Sequence, residues 1–61
     1  MSLYTRGDFN KRLAVRLYGW AREALREARY WFNCGEPGYA LARLRDAEHW
    51  RASARFYRRM P

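Results

Sequence analysis

The sequence is short of the residues that staple small proteins together. Its 61 residues include one cysteine, Cys34, so no disulfide can close within the chain. They include one histidine, His49, and a single Cys with a single His makes no zinc framework. Two prolines and four glycines leave long stretches free of helix breakers. No apolar run exceeds a few residues, Leu13-Ala14-Val15 and Tyr30-Trp31-Phe32 being typical. A transmembrane span and a secretory signal core are therefore not expected. A cytoplasmic location is the expectation, and one reduced thiol agrees with it. A domain of this size buries only about 60% of its unfolded surface. That excludes a deep cleft between lobes, and no cofactor or small-molecule substrate is expected.

What the sequence has is charge of one sign and aromatic surface. Thirteen Lys+Arg stand against six Asp+Glu, a net charge of +7. All of the basic residues except Lys11 are Arg, the side chain that makes bidentate contacts and stacks on rings. Hydrophobic residues make up 49% and aromatics 18%, too much apolar content for a disordered tail.

Gly and Pro divide the chain into two stretches rich in Ala, Leu, Arg and Glu. The pattern predicts an all-α protein, an antiparallel two-helix hairpin occupying the whole chain as one domain. A first helix is expected over about residues 6–33, a turn over about 34–36 and a second helix over about 37–59. Thr5 is the expected N-cap, with Asp8 in the acidic position of a capping box. Asn33-Cys34-Gly35 is a stop signal, because Gly tolerates the left-handed position that ends a helix. Pro37 suits a first helical position, with Glu36 on the cap side.

On a helical wheel the first helix carries two adjacent apolar stripes. One is Phe9, Leu13, Leu17, Trp20, Ala24, Ala28 and Trp31; the other is Ala14, Tyr18, Ala21, Leu25 and Phe32. Together they exceed the roughly 100° face that a surface helix normally buries. The second helix has a narrower stripe of Tyr39, Ala40, Leu44, Ala47, Trp50, Ala54 and Tyr57, with Leu41, Ala52 and Phe56 outside it. A short loop forces an antiparallel hairpin, and one hairpin buries one seam. The leftover apolar surface predicts a homodimer in a four-helix arrangement, with Trp20, Leu25, Trp31 and Phe32 as the self-association residues. Gly19 falls on the outer, Arg-rich side of the first helix.

Three resemblances bear on function. Gly35, Ala40, Leu44 and Ala47, with Trp31 before them, fall at the spacing of the turn and second helix of a tetratricopeptide repeat. This half-repeat resembles that family's helical hairpin, and the resemblance implies the hairpin geometry. Ala24 stands where the family has a Trp and Glu27 where it has a Leu, and a solenoid needs about three repeats or more. Arg43, five residues and then His49 resemble the site motif of HEPN-type ribonucleases. That resemblance implies an Arg on phosphate charge and a His at the cleavage site, supplied by a four-helix dimer. The short chain with Arg/Trp/Tyr-rich helices is also similar in style to small basic accessory proteins of temperate bacteriophages. That style implies binding to a host factor or to nucleic acid.

The Arg residues form two groups. Arg12, Arg16, Arg22, Arg26 and Arg29 follow the outer face of the first helix, interrupted by Glu23 and Glu27. Asp8–Arg12, Arg43–Asp46 and Glu48–Arg51 have the spacing of helix-surface ion pairs. Arg51, Arg55, Arg58 and Arg59 gather beside Phe56 and Tyr57, with no acidic residue after Glu48. These six are the expected partner-binding surface. The sequence reads as a non-enzymatic interaction or regulatory module, with no catalytic or metal-binding residues, no membrane contact and an acidic protein partner. The alternatives are nucleic-acid binding without sequence preference, since no helix-turn-helix, zinc-finger or RNA-recognition signature is present, and a HEPN-like ribonuclease dimer. In the non-enzymatic reading His49 and Cys34 are dispensable.

Overall fold

The structure, a computed structural model, describes residues 6–60. Helix α1 runs Arg6–Asn33 and helix α2 runs Pro37–Arg59, and the two pack against each other. Thr5, the expected N-cap, lies outside the described residues. Asp8 stands in the first turn of α1, where its charge complements the helix dipole.

The turn follows from its sequence. Gly35 has φ 79°, a conformation that costs an L-residue with a Cβ and costs Gly nothing. Its amide donates to the Phe32 carbonyl at 3.1 Å, and the Glu36 amide donates to the Trp31 carbonyl at 2.9 Å. This is a Schellman closure with Gly35 as the left-handed residue. Pro37 then opens α2, where a missing N–H loses no helical hydrogen bond. Glu36 makes no side-chain cap; its carbonyl accepts the Ala40 amide at 3.1 Å instead.

The seam between the helices differs from the expected stripes. Its buried residues on α1 are Asn10, Ala14, Leu17, Ala21, Ala24 and Ala28, and on α2 Ala40, Ala47 and Ala54. Asn10, Leu17 and Ala24 are seven apart, as are Ala14, Ala21 and Ala28, and as are Ala40, Ala47 and Ala54. Such a heptad repeat keeps one seam facing the partner helix along the whole hairpin. The contact line thus runs between the two apolar stripes of α1, where their small residues meet. Alanine lets the backbones approach, and the large side chains are pushed to the flanks. Trp20 is 50% exposed, and Phe9, Tyr39 and Leu44 are exposed as well. No large side chain is fully buried among the described residues.

The hairpin is long and thin, 52 × 18 × 9 Å between Cα atoms. Its radius of gyration is 14.7 Å, against about 10.5 Å for a compact chain of this length. Three contacts fix the register: Trp20 with Trp50 and Trp31 with Tyr39, each with ring centroids 5.1 Å apart, and Glu27 with Arg43 at 2.8 Å. In each pair the residue numbers add to 70, so residues summing to about 70 stand level across the seam.

Candidate interaction surface

An α-helix turns about 100° per residue, so each helix has a flank on either side of the Ala seam. On one flank the aromatic rings cross from helix to helix. Trp20 meets Trp50 edge-on at 72°, and Trp31 leans on Tyr39 at 46°. Between them Arg43 bridges the helices, its Nε donating to Glu27 Oε2 at 2.8 Å and its Nη1 to Asp46 Oδ2 at 3.1 Å. The other flank has two depressions. Leu25, Arg29, Phe32 and Leu44 surround the first, with Ala28 and Ala40 of the seam at its floor. Val15, Tyr18, Arg22 and Arg51 surround the second, above Ala21.

These two flanks divide the expected self-association residues. Trp20 and Trp31 lie on the aromatic flank, each against a ring of α2. Leu25 and Phe32 lie on the grooved flank, beside Leu44. One flat partner surface cannot cover all four.

The expected partner-binding residues are divided too. Arg55, Phe56 and Arg59 share a shallow depression with Ala52 and Met60 on the outer side of α2. Arg51 turns toward α1 and shares its depression with Arg22 and Tyr18. Tyr57 is half-buried, its ring 5.4 Å from that of Phe56. Arg58 is exposed. Arg22 and Tyr18 were missed by reading α2 alone. Folding the chain at residues 34–36 sets residue 22 level with 48, so that Arg51 falls within one turn of Arg22.

Folding also sorts the charge along the hairpin. Residues 6–22 and 49–60 form the open half, away from the turn. They carry Arg6, Lys11, Arg12, Arg16 and Arg22 on α1 and Arg51, Arg55, Arg58 and Arg59 on α2, against a single carboxylate, Asp8 in the first turn. Residues 23–48 form the turn half, with four Arg and five carboxylates. At 1.5 Å per residue the nine cations occupy a length of about 24 Å.

Arg43 and His49, the pair that resembles the HEPN motif, do not converge. Arg43 is held by Glu27 and Asp46. His49 is exposed with its ring 4.9 Å from Trp50, about 120° around α2 from Arg43. Cys34 is exposed in the turn. Among the described residues no group of three His, Cys, Asp or Glu could hold a metal ion, and no helix is long and apolar enough to cross a membrane. The fold and surface define a helical hairpin with a basic open half. Compared with protein-family models, curated proteins and solved structures, the chain matches none.

Proposed function

We propose that the protein is a small non-enzymatic interaction module, active as a four-helix dimer, that presents its basic open half to an acidic protein partner. The observation that carries this reading is the sorting of charge: nine cations against one carboxylate, Asp8, in the open half, and a near-neutral turn half. Arginines beside Phe56, Tyr18 and Met60 supply both halves of a protein-binding surface. The rings give apolar anchors, and the guanidinium groups give bidentate contacts to carboxylates. Catalysis by Arg43 and His49 is disfavoured by their separation around α2, since an acid–base pair must reach one reacting atom.

The same cation density favours a second reading. Nine cations over about 24 Å suit the phosphates of a nucleic-acid backbone, which need charge and no apolar anchor. The test uses two charge-matched variants. Arg55→Glu/Arg58→Glu alters the open half; Arg26→Glu/Arg45→Glu alters the turn half by the same charge. Pull-down from the native host is run on both, with and without nuclease. A discrete protein should be captured by the wild type and by Arg26→Glu/Arg45→Glu, survive nuclease, and be lost from Arg55→Glu/Arg58→Glu. Equal loss from both variants would reduce the effect to net charge. Duplex binding that persists at physiological salt, with a log–log salt slope of about −3 to −4, would favour nucleic acid instead. His49→Ala should leave binding unchanged; an RNA-cleaving activity lost on that change in a folded protein would restore the ribonuclease reading.

A further inference from the structure

A thin hairpin with an alanine seam has more surface than its mass supports. A monomeric globular protein of 7.4 kDa exposes about 4,200 Å². This chain exposes 5385 Å², an excess of about 1,200 Å², whereas a standard interface buries about 800 Å² on each partner. Exposed apolar side chains gather in one place. In the groove of the turn half, Phe32 is 70% exposed and Leu44 43% exposed, and Leu41 next to it is exposed too. The chain's own interhelical rings, Trp20 with Trp50 and Trp31 with Tyr39, are on the other flank.

We infer that the occupant of this groove is the same groove of a second copy, the two hairpins running antiparallel with only their turn halves overlapping. The inference rests on the self-association proposed above and adds its face and direction. Charge selects the direction. Two hairpins stacked on their grooved flanks have two ways to be symmetric. A two-fold axis along the helices lays open half on open half and sets the nine cations of one copy, with Asp8 the single carboxylate, against the nine of the other. A two-fold axis across the helices, at the groove, lays turn half on turn half. There each turn half carries four Arg and five carboxylates, of which Glu27, Arg43 and Asp46 lie on the opposite flank and Arg29 lines the groove, and the open halves point away from each other.

The register of the groove supports that axis. A two-fold axis near residue 28 sets Leu25 opposite Phe32 of the second copy. Because residue 44 is level with 26 and residue 41 with 29, it also brings Leu44 near Leu41 of the second copy. The overlap runs from about residue 21 to the turn, roughly 22 Å of helix at 1.5 Å per residue. The product is a four-helix centre with a two-helix basic arm at each end. Such a rod is bivalent: two anionic sites on one partner, or two partner molecules, are engaged together, and linked sites raise the effective affinity without new contacts.

The test is the oligomeric state by light scattering at micromolar concentration, together with a spin label on Cys34. The wild type should give about twice 7.4 kDa. Phe32→Glu and Leu44→Glu should each give a monomer that remains helical by circular dichroism, and Arg55→Glu/Arg58→Glu should stay dimeric. Should either glutamate variant lose its helicity, Phe32→Gln and Leu44→Gln carry the same readout, with a weakened dimer expected. In the antiparallel rod the two Cys34 positions are offset by about 18 Å along the axis, and a dipolar distance of about 20–30 Å between labels is expected once label length is added. A wild-type monomer overturns the self-association itself. A wild-type dimer that ignores Phe32→Glu and Leu44→Glu overturns the groove alone. Facile oxidation of Cys34 to an intermolecular disulfide, which needs Cα atoms within about 7 Å, overturns the antiparallel direction.

Discussion

The two halves of the hairpin share one seam and differ in nearly everything around it. The turn half is closed by the Gly35 turn and braced by Trp31 against Tyr39 and by Arg43 between Glu27 and Asp46. Its charges nearly cancel, and its groove is apolar. The open half has the same alanine seam at Ala14, Ala21 and Ala54, an interhelical ring pair at Trp20 and Trp50, and nine cations against one carboxylate, Asp8. A net excess of eight positive charges within about 24 Å is self-repelling and opposes the packing it sits on. The comparison teaches a division of labour: the turn half supplies cohesion, and the open half gives up some cohesion to present charge. On the function proposed above, that repulsion is the cost of presenting charge to an anionic partner.

The largest expected effect comes from breaking the seam, and its location sharpens the comparison. Ala47→Leu, in the turn half, inserts three carbons where the helices are in contact. Overpacking of this kind costs about 1–3 kcal/mol, a large share of what a hairpin of this size has in reserve. Urea denaturation followed by circular dichroism should show the whole transition shifted down. Ala54→Leu, at a residue 0% exposed in the open half, should act locally. There the chain has no turn to hold the helices together, so the ends splay. Hydrogen exchange should show protection lost over about residues 9–16 and 52–59 and retained near the turn. Ala42→Leu, at an exposed position, is the control. If Ala47→Leu costs no more than Ala42→Leu, the seam is not close-packed.

A smaller effect, opposite in sign between the halves, comes from one substitution made twice. Gly35→Ala places a Cβ on a residue with φ 79° and should cost about 1–2 kcal/mol, although no atom crowds the site. Gly19→Ala, in the helical interior of the open half, also meets nothing within 4 Å. It removes backbone freedom from the unfolded chain and should stabilise by up to about 1 kcal/mol. Thermal unfolding of the two variants side by side checks the signs. Destabilisation by Gly19→Ala would mean that a partner or second copy approaches the backbone there.

Much of this fold is legible in the sequence because its ends are marked chemically. Gly35 and Pro37 can each occupy few positions in a helical protein, and between them they locate the turn. The seam was harder to read. Hydropathy weights Trp20, Phe9 and Leu44 above Ala14 and Ala47, yet a closely packed pair of helices selects for small volume. The sevenfold spacing of Ala40, Ala47 and Ala54 carried that signal. The surface was legible on one helix at a time. The run Arg51, Arg55, Arg58 and Arg59 stands out in α2, whereas Arg22 joins Arg51 only when the chain is folded and residues summing to about 70 are brought level. The sorting of charge into halves is likewise invisible along the sequence, where basic residues occur from Arg6 to Arg59, and becomes plain once the hairpin is closed.

The smallest expected effect belongs to the bridge of Glu27, Arg43 and Asp46. All three side chains are about half exposed, and exposed ion pairs contribute between zero and about 1 kcal/mol. A double-mutant cycle with Glu27→Gln and Arg43→Met should give a coupling of no more than about 0.5 kcal/mol at 0.1 M salt, and nothing measurable at 1 M. The bridge has a different consequence for the surface. Arg43 stands level with Glu27 on the aromatic flank, and its charge is spent within the turn half. Glu27→Gln leaves Arg43 one fewer carboxylate and shifts the turn half toward positive charge. On the charge argument, this should weaken an antiparallel dimer only slightly, because Glu27 and Arg43 lie on the flank away from the groove. Light scattering of Glu27→Gln against Leu44→Glu separates the two flanks. A dimer lost on the first change and kept on the second would move the interface to the aromatic flank, to Trp20 and Trp31.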